Sequence, residues 1–450
     1  MPKHPMTLAR WPRVGAPIFL GALAAVLPVR PALAQEQHRI WATVALTDGR
    51  VHEGFIRWDR NEGSWIDILD AYKEIPADVY EVWRDLWHAG EGPTRTVELR
   101  GYRITWDEED PEFPRQSQMG IRFGHIASLR PLDDVRSEMT LKSGRSLILE
   151  SRSSDLGWGM RDLTVRGRSG DDTDVEWGDI SRIEFEATAP GVPAEGRRLY
   201  GVVRDRAGDE VRGFLSWDLD EILTTDVLDG YDDGRDREIP FGEIASIQRH
   251  LGGANVTLRD GPTVYLRGTN DVGRGHRGVQ VSVPDVGGAE VEWDELDLVV
   301  FEEAPPGVDY GGFEGGGALQ GTIRTQGGEE ISGRIRWNGD VEESWEFLEG
   351  SRDAWAYRVE FGFIQSIQRG ELDGALVVLR NGEELELEGR SDVNWDNRGI
   401  FVQPALVADS ASAGSEPAVD SPWRLITWDE FDQVWFGTAN PDEQAERSGS

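Results

Sequence analysis

The chain has no cysteine, only three lysines (Lys3, Lys73 and Lys142), and no apolar run of membrane length beyond its first 34 residues. The first absence excludes disulfides, thiol nucleophiles, a lipid-anchored thiol and cysteine metal clusters. The third leaves no segment after residue 34 that could cross a bilayer as a helix. Basic charge is scarce throughout, with 47 Lys and Arg against 83 Asp and Glu and a net charge of -36. Nucleic acid is therefore a poor partner, because phosphate binding depends on a basic surface. At 38% hydrophobic and 29% charged the chain is still globular, since its apolar residues alternate at the period of a strand.

The N-terminus reads as an address. A basic start (Lys3, Arg10, Arg13), an apolar stretch from Ala16 to Val29 and Ala32-Leu33-Ala34 before Gln35 predict a cleavable secretory signal over residues 1–34 and a periplasmic or secreted product. Pro28 interrupts the apolar stretch, which is too short to span a membrane. Loss of Lys3, Arg10, Arg13 and Arg30 would leave 43 basic residues against 83 acidic ones, a net charge of -40.

A pattern then occurs three times, over 40–187, 199–303 and 318–439. In the middle copy, Tyr200 to Asp205, a turn at Arg206-Ala207-Gly208-Asp209, and Val211 to Trp217 read as a hairpin. Ile222 to Leu228 supplies a third strand, and Glu238 to Ile247 two more around a tight turn at Phe241. The stretch from Ala254 to Phe301 repeats the scheme. Gly54-Phe55-Ile56-Arg57-Trp58, Gly213-Phe214-Leu215-Ser216-Trp217 and Gly333-Arg334-Ile335-Arg336-Trp337 correspond, as do Phe123-Gly124, Phe241-Gly242 and Phe361-Gly362. The expected fold is all-β: three tandem repeats, each a pair of small five-stranded barrels, since units of about fifty residues bury little core alone.

The first repeat carries an insertion over about 71–118, in which Asp78 to His88 has helical spacing. It is read either as a lid over a ligand or as a flap packed on the first barrel. Two stretches rich in Pro and Gly, Ala187 to Gly196 and Glu303 to Gly317, read as linkers. The loop from Ala408 to Pro417 and the tail over 440–450 read as disordered.

Candidate site residues fall in two groups. Asp155 and Arg161, Asp271 and Arg277, and Asp392 and Arg398 keep an acid and an arginine six residues apart across the same expected loop. Such a pair either grips a ligand's hydroxyls or carboxylate, or closes its own loop as an ion pair, with the two side chains in contact. Of the 18 tryptophans, Trp58, Trp217, Trp337, Trp177, Trp293 and Trp428 stand at equivalent places and are expected in the core. Trp65, Trp83, Trp87, Trp158, Trp345, Trp355 and Trp395 lack a full set of counterparts and are read as possible exposed binding surface, with Trp83, Trp87, Trp158 and Trp395 the leading ones.

Catalytic signals are sparse. None of the seven histidines recurs in all repeats, and His125 gives way to Glu243 and Phe363. The loop Asp229 to Asp236 resembles a calcium loop but has Tyr231 at the third position and Pro240 where the bidentate Glu belongs. No metal or cofactor is assigned.

The half-repeat, with its glycine-turn hairpin, the strand ending at Trp217 and the tight turn before the last strand, resembles the SH3-like small barrels, a group that includes bacterial SH3, PRC-barrel and Sm-like domains. The resemblance is one of fold pattern and implies a tendency toward binding roles without a substrate. The expected function is a non-catalytic envelope or periplasmic scaffold that presents its surface to another protein. The alternatives are a glycan-binding module using exposed tryptophans, and a hydrolase with facing carboxylates between Asp78 and Glu112.

Overall fold

The computed structural model describes residues 38–86, 94–99, 102–107, 114–152, 155–188, 192, 194, 196–370, 373–404 and 423–437. The expected signal, Trp87, Glu112, the 408–417 loop and the tail over 440–450 lie outside them. The described residues are all-β in class. Three large antiparallel sheets of ten, twelve and eight strands are joined by a two-stranded hairpin (Thr94–Leu99 with Tyr102–Asp107) and one α-helix, Ala77–Leu86. The strands form where apolar residues alternate. In Tyr200–Asp205, for example, Gly201, Val203 and Asp205 are buried and their neighbours only half-buried.

Strand pairing departs from the expectation of two separate five-stranded halves. In the second repeat the hairpin Tyr200–Asp205/Glu210–Trp217 is flanked on both sides by strands of the second half, Leu296–Phe301 and Val279–Val283. The first half's last strand, Ile244–His250, pairs with Leu296–Phe301 and with Gly253–Leu258, also of the second half. The ladders of the first repeat run in the same order, from Asp172–Val175 at one edge to Gln116–Arg122 at the other. A lone half would leave both edges of its hairpin open, and exchange between halves satisfies those backbone groups.

The repeats are also laced to one another. The hairpin Phe347–Arg352/Trp355–Glu360 of the third repeat leaves its own sheet and adds to Gly287–Val291 of the second, with Gly287 opposite Val359 and Val291 opposite Trp355. The second and third repeats accordingly share one hydrophobic core, and Phe214, Phe313 and Trp345 join the core of the first.

Three further expectations change. Ile68–Glu74 pairs along its length with Gln116–Arg122, so the insertion is confined to 75–115. Its helix is a flap, but over the third repeat: Val79 and Trp83 pack with Phe401, Trp423 and Leu425, and Asp78 pairs with Arg336 at 2.9 Å. The stretch after Glu303 is no free linker. Tyr310 packs against Trp65 in a tilted pair with ring centroids 4.5 Å apart and donates its hydroxyl to the Ile126 carbonyl, while Phe313 meets the His125 ring edge-on at 5.0 Å.

Candidate functional site

The two groups of candidate residues are best understood from the turn that ends each repeat's second strand. The indole nitrogens of Trp58, Trp217 and Trp337 donate to the carbonyls of Asp155, Asp271 and Asp392 at 2.7, 3.0 and 2.9 Å. The next residue, Asp59, Asp218 or Asn338, has a positive φ of 41°, 49° or 52°, a conformation that Asp and Asn adopt more readily than other side chains. Its Oδ1 accepts the backbone N–H of Arg161, Arg277 or Arg398 at 2.6, 2.6 and 2.8 Å. The carboxylates of Asp155, Asp271 and Asp392 in turn accept the N–H of Asp70, Asp229 and Glu349 at 2.7, 2.7 and 2.8 Å.

The expected direct ion pair within each Asp and Arg couple is therefore not what forms. Both partners hold the second half's loop to the first half, but through different atoms. Arg161 pairs with Asp59 and, across the repeat boundary, with Asp220. Arg277 pairs with Asp218 and Asp220, and Arg398 with Asp340. The carboxyls end up out of water. Burial, followed by the charge of Asp70, pushes Asp155 up to about 7. Burial and then Asp340 do the same to Asp392, also to about 7, while Asp271 is pushed to about 6, again chiefly by burial.

A second recurring acid was missed at the level of sequence. Asp67, Asp226 and Glu346 each stand nine residues after the tryptophan that ends the second strand, and that spacing is the signal that could have found them. One oxygen of each accepts two successive backbone N–H groups, from residues 63 and 64, 222 and 223, and 342 and 343, at 2.7 to 2.9 Å. The other oxygen takes a cation from another repeat: Arg198 for Asp67 at 2.8 Å, Arg57 for Asp226 at 2.7 Å, and Lys73 for Glu346.

One member of the first constellation also faces open space. A polar cleft of about 460 Å³ lies between the Gln116–Arg122 strand of the first repeat and the third repeat. Gln116 and Gln118 line one wall, and Asp340, Glu349, Asp392 and Arg398 line the other. The six repeat-equivalent tryptophans are buried, between 0% and 6% exposed. Trp65, Trp83, Trp345 and Trp355 are buried as well, so they do not supply a binding surface. Trp158 is 78% exposed, and Trp395 is half-buried beneath the Arg369 guanidinium at 5.0 Å. Asp229 to Asp236 forms the bend of a hairpin whose strands, Val227–Asp232 and Arg235–Pro240, pair along their full length. His276 is enclosed by Trp217 and Trp293, and burial lowers it to about 4 even with Asp218 nearby. Compared with known protein families, with curated proteins and with solved structures, the chain matches none.

Proposed function

We propose that this chain is a non-catalytic, exported scaffold of the cell envelope that binds a partner in the cleft between its first and third repeats. The observation that carries this reading is how the recurring charged groups are used. The acids at 155, 271, 392, 67, 226 and 346 accept backbone amides, and the last three also take a cation from another repeat. Groups committed in this way hold a rigid frame. The small-barrel resemblance points the same way, toward binding. A photo-crosslinking residue at the exposed Gln118 should capture a defined envelope partner that the same residue at the exposed Val51, outside the cleft, does not. Capture of the same set from both positions, or of nothing from Gln118, would overturn the reading.

The amide side chains of the cleft and the open face of Trp158 favour a second reading, a carbohydrate ligand. In that case the chain binds on a glycan array, and Trp158→Ala or Gln118→Ala reduces the signal with the thermal midpoint unchanged.

A further inference from the structure

Asp340 of the third repeat and Asp220 of the second hold the same place, three residues after the tryptophan that ends the second strand. Asp220 is satisfied by two arginines. Its own repeat's Arg277 approaches Oδ2 at 2.5 Å, and Arg161, reaching across from the first repeat, donates to Oδ1 at 2.6 Å. Asp340 has the counterpart of the first only: Arg398, 3.7 Å from Oδ2. Its Oδ1 is buried and has no hydrogen-bond partner among the described residues, and the residue as a whole is only 8% exposed. Where the first repeat presents Arg161 to the Asp220 carboxylate, its Lys73 donates to the backbone carbonyl of Asp340 at 2.5 Å and pairs with Glu346, and the strand it presents to the cleft bears the neutral Gln116 and Gln118.

We infer that the cleft takes a cationic group, a guanidinium or primary ammonium, on Asp340, in the place that Arg161 occupies on Asp220. This rests on the cleft being the binding face proposed above. A buried carboxylate oxygen without a donor carries a desolvation cost that an incoming charged N–H group offsets. The charge around it agrees. Glu346 is paired with Lys73, and Glu349 lies 3.7 Å from Arg358. Among the remaining lining residues, Asp340 and Asp396 balance Arg390 and Arg398, so the lining holds no net positive charge that would repel a cation. Asp392 lies on the same wall, and after burial the charge of Asp340 is the largest influence raising it, to about 7. A metal ion is a poorer fit, because no group of three or more His, Asp or Glu among the described residues is placed to hold one. At about 460 Å³ the cleft admits a side chain or a small amine but not a folded surface. The cation therefore comes on a flexible stem, either as a free amine or as an arginine or lysine protruding from a partner.

Calorimetry on the full mature chain tests this with four probes: agmatine, N-acetylarginine amide, its uncharged isostere N-acetylcitrulline amide, and the capped peptide Gly-Gly-Arg-Gly-Gly. The arginine amide should bind at least about tenfold more tightly than the citrulline amide, the weight of one charged hydrogen bond. Asp340→Asn should remove that difference. Gln118→Arg, which places a guanidinium of the protein's own in the cleft, should weaken binding without relying on any change at Asp340. Tighter binding of agmatine identifies a small amine as the source, and tighter binding of the peptide identifies a protein. Equal binding of the arginine and citrulline amides, or undiminished binding by Asp340→Asn, overturns the inference. If the Gln118 crosslinker still captures its partner in that event, the cleft stands as a binding face and only its chemistry is wrong. If neither binds, both readings fail.

Discussion

Glu221 sits on the turn after Trp217 with one carboxylate oxygen buried and without a hydrogen-bond partner among the described residues, and burial, followed by the charges of Asp271, Asp220 and Asp218, pushes it up to about 9. A carboxyl raised in this way binds its proton more readily folded than unfolded. Its contribution to stability is fully present below the unfolded value of 4.5 and is lost as pH rises through about 9. Asp155 and Asp392 act alike with folded values of about 7, and Asp271 with about 6. Glu342 works in the opposite direction: burial would raise it, but a hydrogen bond from Arg145 and the charges of Arg336 and Arg145 hold it at about 2, so its contribution disappears only in strong acid. The melting temperature should therefore be highest near pH 5 and fall toward pH 8. Glu221→Gln should raise it by about 2 °C at pH 8, the order expected for about 1 kcal/mol in a chain of this size, and leave it unchanged at pH 4.5; a scanning-calorimetry series shows whether the two curves converge in acid. Asp67→Ala has a different signature, because it leaves Arg198 buried without its carboxylate and frees two backbone N–H groups. A loss of about 3–5 kcal/mol in urea unfolding is expected. The positions of Asp155, Asp271 and Asp392 could be read from the sequence because they recur. Their partners could not, since the indole that reaches Asp155 comes from Trp58, 97 residues earlier, and spacing carries no information across such a separation.

Hairpins, the all-β class and the helix near Asp78 were legible because each is set by alternation or helical spacing within a few residues. Which edge a strand joins is not local, and there the sequence expectation of closed halves went astray. The edges also show what restrains further pairing. Gly287–Val291 accepts the third repeat's hairpin with Gly288 opposite Arg358 and Glu290 opposite Ala356, so no like charges meet. Among the described residues, the first repeat's corresponding edge, which includes Asp172–Val175, pairs on one side only, as does Arg235–Pro240, the second repeat's counterpart of Trp355–Glu360. Laying those two edges together in the same register would set Asp172 against Glu238 and Asp174 against Asp236. Directly opposed like charges destabilise a ladder, and charged edges are a common guard against sheet-to-sheet association. The double variant Asp236→Thr, Glu238→Thr should therefore self-associate more than the parent chain. Light scattering at rising protein concentration measures this, and an unchanged apparent mass would show that the edge charges are not what keeps the strand unpaired.

Arg122 is where the whole molecule meets. It is 1% exposed and belongs to the first repeat, yet its guanidinium donates to the carbonyls of Val283 and Pro284 in the second repeat at 3.0 and 2.7 Å. It also pairs with Glu360 of the third at 3.1 Å and covers the Phe363 ring at 5.2 Å. His125 lies 3.3 Å from the other oxygen of Glu360. Arg122 and Glu360 occupy equivalent places, each immediately before the Phe-Gly turn, so one position carries opposite charges in the two repeats that face each other. With a strand hairpin exchanged between the second and third repeats and Arg57, Lys73 and Arg198 crossing other boundaries, no repeat holds its own complement of contacts. The three repeats should then unfold together, in one urea transition followed identically by tryptophan fluorescence and far-ultraviolet circular dichroism. Arg122→Ala strands Glu360 in the interior and should cost about 3–5 kcal/mol, whereas the double variant Arg122→Met, Glu360→Met, which removes both charges and keeps their volume, should cost less than the single change. Separate transitions for fluorescence and dichroism would show that the repeats are independent units, and a double variant as unstable as the sum of its single changes would show that the two residues are not coupled through this junction.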